Sequence, residues 1–201
     1  MAGIHLSGTA AWSNYLCAMK NAPIKVGLAA LVASAWFWAG RSFASETGSM
    51  DEHLAPFRPF LAKTWRGEFK DPKPDHPMAD VSRWERALNG KAIRILHSVN
   101  NGEYGGESLI FWNAEQNEIR YYYFTTAGYY TTGTASFWEG KLVCVEKVSG
   151  DTNGITEVKS TYELRADGTL LNKATYLKAG QPAGGREILY REDPKAEVKF
   201  N

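Results

Sequence analysis

The chain has 201 residues, with 23 Lys and Arg against 22 Asp and Glu, for a formal net charge of +1. That length suits one ordinary domain behind a leader. Balanced charge provides no footprint for a nucleic-acid groove or an anionic membrane surface, and no Lys/Arg cluster interleaves with the aromatic residues as such a groove requires.

Residues 1–44 read as a targeting segment outside the fold. The run VGLAALVASAWFWAG at 26–40 is apolar, with Lys20 and Lys25 before it and Arg41 after it, and small residues follow at Ser42-Phe43-Ala44. This is the pattern of a secretory signal peptide, and the run is shorter than the roughly 20 residues a spanning helix needs. Met19 followed by Lys20 would open an n-region of normal length, which makes 1–18 an over-extended start. The expectation is an exported protein, periplasmic or secreted, with no membrane attachment after cleavage; an uncleaved anchor is the alternative. Residues 45–201 then form a single domain. Only Cys144 remains in it, so no internal disulfide can form, and its place in an apolar run marks a buried small hydrophobe.

Next comes a short helix within 50–62. Asp51 caps it, Leu54, Phe57, Phe60 and Leu61 share a face, and Pro56 and Pro59 hold it to about one or two turns. Its apolar face would plug one end of the domain. Pro72, Pro74 and Pro77 make 71–78 an extended loop, a lid or a detour.

From 64 to 192 the chain is one short strand after another: 64–70, 79–88, 91–99, 103–112, 118–125, 129–138, 141–148, 155–165, 169–178 and 183–192. Asn89-Gly90, Asn101-Gly102, Glu139-Gly140, Asp167-Gly168 and similar pairs separate them. Asn-Gly and Asp-Gly suit two-residue hairpins, because both central residues need positive φ. Strands joined by tight turns are antiparallel neighbours. About ten such strands form an up-and-down meander, and closure removes its two exposed edges. The predicted fold is therefore all-β: an antiparallel up-and-down barrel of about ten strands with a short N-terminal helix. A two-sheet sandwich of the same strands is the runner-up. Gly67, Gly105, Gly106 and Gly133 are read as bends or bulges where the barrel curves.

Strand parity assigns faces. Charges and hydroxyls intrude on nearly every face, and both faces of 118–125 are aromatic. A barrel this wide is not filled by its own side chains, so a cavity is expected. Its ligand wall is assigned to Trp84, Phe111, Tyr121, Tyr123, Tyr130 and Trp138. Arg186 and Tyr190, on one face of the last strand, form the polar end, a pair that would suit a carboxylate head group. Tyr121 and Tyr123 are chosen over Tyr122 and Phe124, a choice that a one-residue bulge would reverse.

The stretch Leu61-Ala62-Lys63-Thr64-Trp65-Arg66-Gly67-Glu68 resembles the opening of calycin, or lipocalin-like, barrels, which begin with a short helix and Gly-x-Trp. The chain also resembles bacterial proteins of the uncharacterised DUF1579 type and, more distantly, nitrobindin-type haem barrels with a Gly-x-Trp-x-Gly start. Lys63 stands where the first glycine would be, while Trp65 and Gly67 match. The resemblance implies an arginine of the last strand, Arg186 or Arg191, packed on Trp65. Haem binding does not carry over, because no histidine follows His97.

No catalytic or metal-binding motif is present. Ser108 and Ser136 lack a nucleophile elbow, and His53, His76 and His97 are scattered. His97 is read as a core or cavity-wall residue. The expected function is non-catalytic binding of a small, largely apolar or lipid-like molecule, with no cofactor. An enzyme using an inward Glu107 or Glu146 as acid–base residue is the alternative, and a structural cell-envelope role is a third.

Overall fold

The hairpins set the topology. In a computed structural model describing residues 49–70 and 78–201, the strands are β1 (Lys63–Phe69), β2 (Ala79–Ala87), β3 (Ala92–Val99), β4 (Tyr104–Asn113), β5 (Glu118–Thr125), β6 (Tyr130–Trp138), β7 (Lys141–Ser149), β8 (Glu157–Leu164), β9 (Leu170–Lys178) and β10 (Gln181–Glu192). Each pairs antiparallel with its sequence neighbour, and β1 pairs with β10 to close a ten-stranded barrel. The targeting segment and the 71–77 loop, with Cys17 and His76, lie outside the described residues.

The two-residue turns do not sit at the Asn-Gly pairs. They are Glu139-Gly140, where Trp138 faces Lys141, and Ala179-Gly180, where Lys178 faces Gln181. Both residues of each turn have positive φ, from 48° to 77°, as a type I′ turn demands. Asn89-Gly90 and Asn101-Gly102 instead lie within loops whose flanking pairs are Ala87 with Ala92 and Val99 with Tyr104. A two-residue turn and this longer loop are centred on the same peptide bond, so the strand register is the same.

The N-terminal helix is a 3-10 helix, Glu52–Phe60, of nine residues. At about three residues per turn this makes three turns, longer than expected. The sequence explains it: Leu54, Phe57 and Phe60 recur at intervals of three and are all buried. Leu61 falls off that repeat, and Pro56 and Pro59 face solvent. Asp51 caps the start, accepting a hydrogen bond from the His53 amide at 3.1 Å.

This helix fills one end of the barrel. Phe57 meets Phe137 edge-on with centroids 4.9 Å apart, and Phe60 stacks on Trp84 at 5.3 Å. Trp65 is fully buried beneath it, and its indole N–H donates to the Phe60 carbonyl at 3.3 Å. Ile93, Ile110, Leu142 and Leu170 complete the packing. The cation over Trp65 is Lys63, its Nζ 5.2 Å from the ring centroid. The expected arginine is not there: Arg186 is turned toward Tyr176, and Arg191 is exposed opposite Arg66. After β10 the tail runs back along the outer wall, where the Lys199 amide donates to Ser98 Oγ at 3.0 Å.

Candidate functional site

The other half of the barrel is not filled. A cavity of about 380 Å³ lies there. Its walls include Ile95, Val99, Val148, Val158, Leu170 and Ile188, with Trp65 and Trp84 at its floor. Polar side chains converge on it from most of the strands.

Three inward glycines make that convergence possible, and register is continuous through all three, so they are not bulges. Gly67 lies between Tyr190 on β10 and Asp80 on β2. A Cβ there would stand 2.6 Å from the Tyr190 ring. Without it, the tyrosine reaches across β1 and its hydroxyl donates to Asp80 Oδ2 at 2.6 Å. Gly106 faces His97 on β3, and a Cβ there would strike the Tyr123 ring from β5. His97 Nε2 and the Tyr123 hydroxyl meet at 2.7 Å across β4, although β3 and β5 lie roughly 10 Å apart by sheet spacing. Gly133 faces Tyr121 on one side and Glu146 on the other.

The result is one continuous hydrogen-bonded chain. Asp80 Oδ1 bonds His97 Nδ1 at 2.7 Å, and Tyr123 continues from His97 to Tyr104 at 2.6 Å, and Tyr104 to Tyr129 at 2.6 Å. Asp80 is buried and accepts from both Tyr190 and His97. Burial raises the pKa of Tyr104, Tyr121, Tyr123, Tyr129 and Tyr190 above the ordinary phenol range, so all stay protonated.

Arg186 stands in the same cavity. Its Nη1 donates to the Tyr176 hydroxyl at 2.8 Å, while its Nε is buried and has no partner among the described residues. Burial opposes its charge, but the oxygens of Tyr176, Tyr162 and Tyr190 outweigh that and hold it well above its ordinary value. It therefore remains a cation. Among the described residues three carboxyl groups line the cavity, and each bonds elsewhere. Asp80 serves His97 and Tyr190, and Glu146 accepts from Thr131 Oγ1 at 2.6 Å. Asp151 accepts from the Ile155 amide at 2.9 Å. Burial pushes the Glu146 carboxyl up, with the Thr131 bond and the charge of Arg186 acting against the shift.

Of the expected ligand wall, Trp84, Tyr121, Tyr123, Arg186 and Tyr190 line the cavity. Arg186 and Tyr190 do not act as a pair: Tyr190 serves Asp80, and Tyr176 holds the arginine. Phe111, Tyr130 and Trp138 lie on the outside. Phe111 stacks on the outward Tyr122 with centroids 6.1 Å apart, Tyr130 stacks on Phe124, and Trp138 is 70% exposed. The reason is space. Tyr121 and Tyr123 point inward opposite Gly133 and Thr131, so the inner face of β6 must carry small residues. That puts Thr131, Gly133 and Ala135 inside, with Phe137 beyond the β5 pairing against Phe57, and sends Tyr130 and Trp138 out. Glu107 is also outside, its Oε1 3.0 Å from Arg94 Nε. Cys144 is buried, and burial pushes its thiol up.

Asp80, Tyr104, Tyr129 and Tyr176 escaped the sequence reading. The Asn89-Gly90 turn already fixes Ser82 opposite His97, which puts Asp80 on the same inner face one step along. That signal was present. The bonds across strands were not legible, because they need the barrel's closure and curvature.

No family model matches the chain, and neither does any curated protein. Among solved structures, 16 chains match. One is the crystal structure of Rv2717c from M. tuberculosis, with a TM-score of 0.50 and 11% sequence identity, covering 72% of this chain and 99% of that one. At that identity the likeness is one of fold, and it agrees with the closed antiparallel barrel.

Proposed function

We propose that this protein binds a small, largely apolar molecule inside its barrel, without chemistry. The observation that carries this reading is the cavity of about 380 Å³, walled by aliphatic and aromatic side chains with a few convergent polar groups. That size and lining are typical of ligand pockets. The finer kinship with DUF1579-type and nitrobindin-like barrels belongs to the same proposal, as does export through the 1–44 segment.

The test is native mass spectrometry of protein purified from its own host, followed by titration of the emptied barrel with a hydrophobic probe. A reproducible co-purified small molecule, displaceable by the probe, is expected. A barrel that is empty and admits no probe would sink the reading. Glu146 favours a second reading: it is a buried carboxyl with a raised pKa facing the cavity, suited to acid–base work. Its Thr131 bond, which occupies one carboxyl oxygen, makes binding the better account.

A further inference from the structure

The hydroxyl chain has a polarity that hydrogen counting fixes. Each tyrosine hydroxyl carries one hydrogen, and every contact in the chain needs one. Asp80 bonds His97 Nδ1, so that nitrogen carries a proton. With His97 neutral, Nε2 must accept from Tyr123. The Tyr123 hydrogen is then spent, so Tyr104 donates to Tyr123 and Tyr129 donates to Tyr104. Tyr129 is left presenting only lone pairs to the cavity. With a proton on Nε2 every link reverses. His97 donates to Tyr123, Tyr123 to Tyr104, Tyr104 to Tyr129, and the Tyr129 hydrogen turns toward the cavity. One proton on His97 thus converts Tyr129 from acceptor to donor.

What Tyr129 faces decides which state a ligand selects. Arg186 and Tyr176 line the same cavity, and the charge of Arg186 reaches both Tyr104 and Tyr129, easing their ionisation. A buried guanidinium cannot shed its proton and is costly without a counter-ion. Among the described residues the cavity carboxyls of Asp80, Glu146 and Asp151 hydrogen-bond to other groups, Glu146 meets the Arg186 charge only through space, and the Arg186 Nε is buried without a partner. The groups facing His97 are Asp80 from β2, Tyr123 from β5 and Tyr104 from β4, with Tyr190 from β10 on the far oxygen of Asp80.

We propose that the cavity takes an apolar organic anion, its carboxylate held between Arg186 and the Tyr129 hydroxyl, and that the anion enters together with one proton held on His97. The inference rests on the binding reading above and names the ligand class. One N–H bond forms and one bond to hydrogen in the buffer acid breaks: the proton passes from the buffer acid to His97 Nε2, each hydroxyl keeps its own hydrogen and turns, and the Tyr129 hydrogen then points at the carboxylate that Arg186 holds. A neutral ligand that donates a hydrogen bond would select the opposite state and take up no proton.

The experiment is isothermal titration calorimetry of the full chain with 1-naphthoate and its neutral isostere 1-naphthamide, at neutral pH in two buffers of different ionisation heat. Naphthoate is expected to bind at least roughly tenfold more tightly than the amide, with uptake of about one proton. Arg186→Met should erase the preference, and Arg186→Lys should keep part of it. His97→Gln should abolish the uptake. Tyr129→Phe should do the same and weaken naphthoate by roughly tenfold, an independent reading if the histidine variant does not fold. Equal binding of the two probes overturns the anion inference and leaves the apolar-binding reading standing. Preference without uptake, or uptake that persists in both folded variants, overturns the proton coupling. Binding of neither probe overturns this inference and the reading it rests on together.

Discussion

The two ends of this barrel are built on opposite principles. At one end the 3-10 helix drives Leu54, Phe57 and Phe60 onto Trp65, Trp84 and Phe137, and the space closes around apolar rings. At the other end the same strands carry Asp80, His97, Tyr104, Tyr123, Tyr129 and Arg186 into a cavity. Strand pairing closes the barrel at both ends, with a register shift between Pro182 and Gly185 where β10 starts. The difference arises from what is inserted between the walls: a helix with an apolar repeat of three on one side, and no comparable element among the described residues on the other. The filled end supplies stability by burial, and the open end forgoes it to keep polar groups poised. Changes at the two ends should therefore read out differently.

The largest effect belongs to the filled end. Trp65→Ala removes a fully buried indole and orphans the Phe60 carbonyl it serves. It should cost about 3–5 kcal/mol, measured by chemical denaturation. A cost near zero would break the claim that this end carries the stability.

Gly106→Ala tests the open end's wiring. The new Cβ would meet the Phe124 carbonyl oxygen and the Tyr123 ring, and backbone cannot give way as a flexible side chain can. About 1–3 kcal/mol of overpacking is expected, with loss of the His97–Tyr123 hydrogen bond visible in the histidine ring signals by NMR. An alanine that leaves those signals unchanged would show that the glycine is not what lets the two side chains meet.

Glu146 gives a pH-dependent contrast. Burial raises its pKa in the folded state above the unfolded value of about 4.3. The native state thus holds this proton more tightly than the unfolded chain does. The stability it contributes is fully present below the unfolded value and is lost as pH rises through the folded one. Glu146→Gln keeps an acceptor for Thr131 and removes the titration. The variant should melt higher than the parent at neutral pH, and the difference should disappear below about pH 4. A gap that is constant across pH would place the effect in packing instead of ionisation.

How far the sequence reveals each end also differs. The filled end was legible, because Leu54, Phe57 and Phe60 repeat along one face and Trp65 opens the first strand. Only the helix length differs, three turns in place of one or two, because Pro56 and Pro59 sit on the solvent side of a three-residue repeat and do not stop it. The closed ten-stranded meander was legible too, because turn-forming pairs punctuate every strand. At the open end, parity alone could not choose between the two aromatic faces of β5, nor between Tyr129 and Tyr130 beside it. The deciding fact is cross-strand size matching: Tyr121 against Gly133 and Tyr123 against Thr131. The glycines looked like bends because a single strand cannot show that a ring from the next strand lies over them.

The smallest expected effect concerns the outer wall. Trp84 is buried at the floor of the cavity, with its indole N–H donating to Ser82 Oγ at 3.0 Å. Trp138 is 70% exposed beside the Glu139-Gly140 turn, on the opposite face of its strand from Phe137. A hydrophobic probe bound inside the barrel should quench the emission of Trp84 and leave Trp138 unaffected. In Trp84→Phe the probe-induced change should therefore shrink markedly, whereas Trp138→Phe should retain it and shift stability by no more than about 0.5 kcal/mol. Both substitutions keep an aromatic ring, so loss of packing does not confuse the comparison. If Trp138→Phe removes the quenching instead, the probe sits on the outer aromatic surface with Tyr130 and Phe124, and the cavity is not where apolar molecules bind.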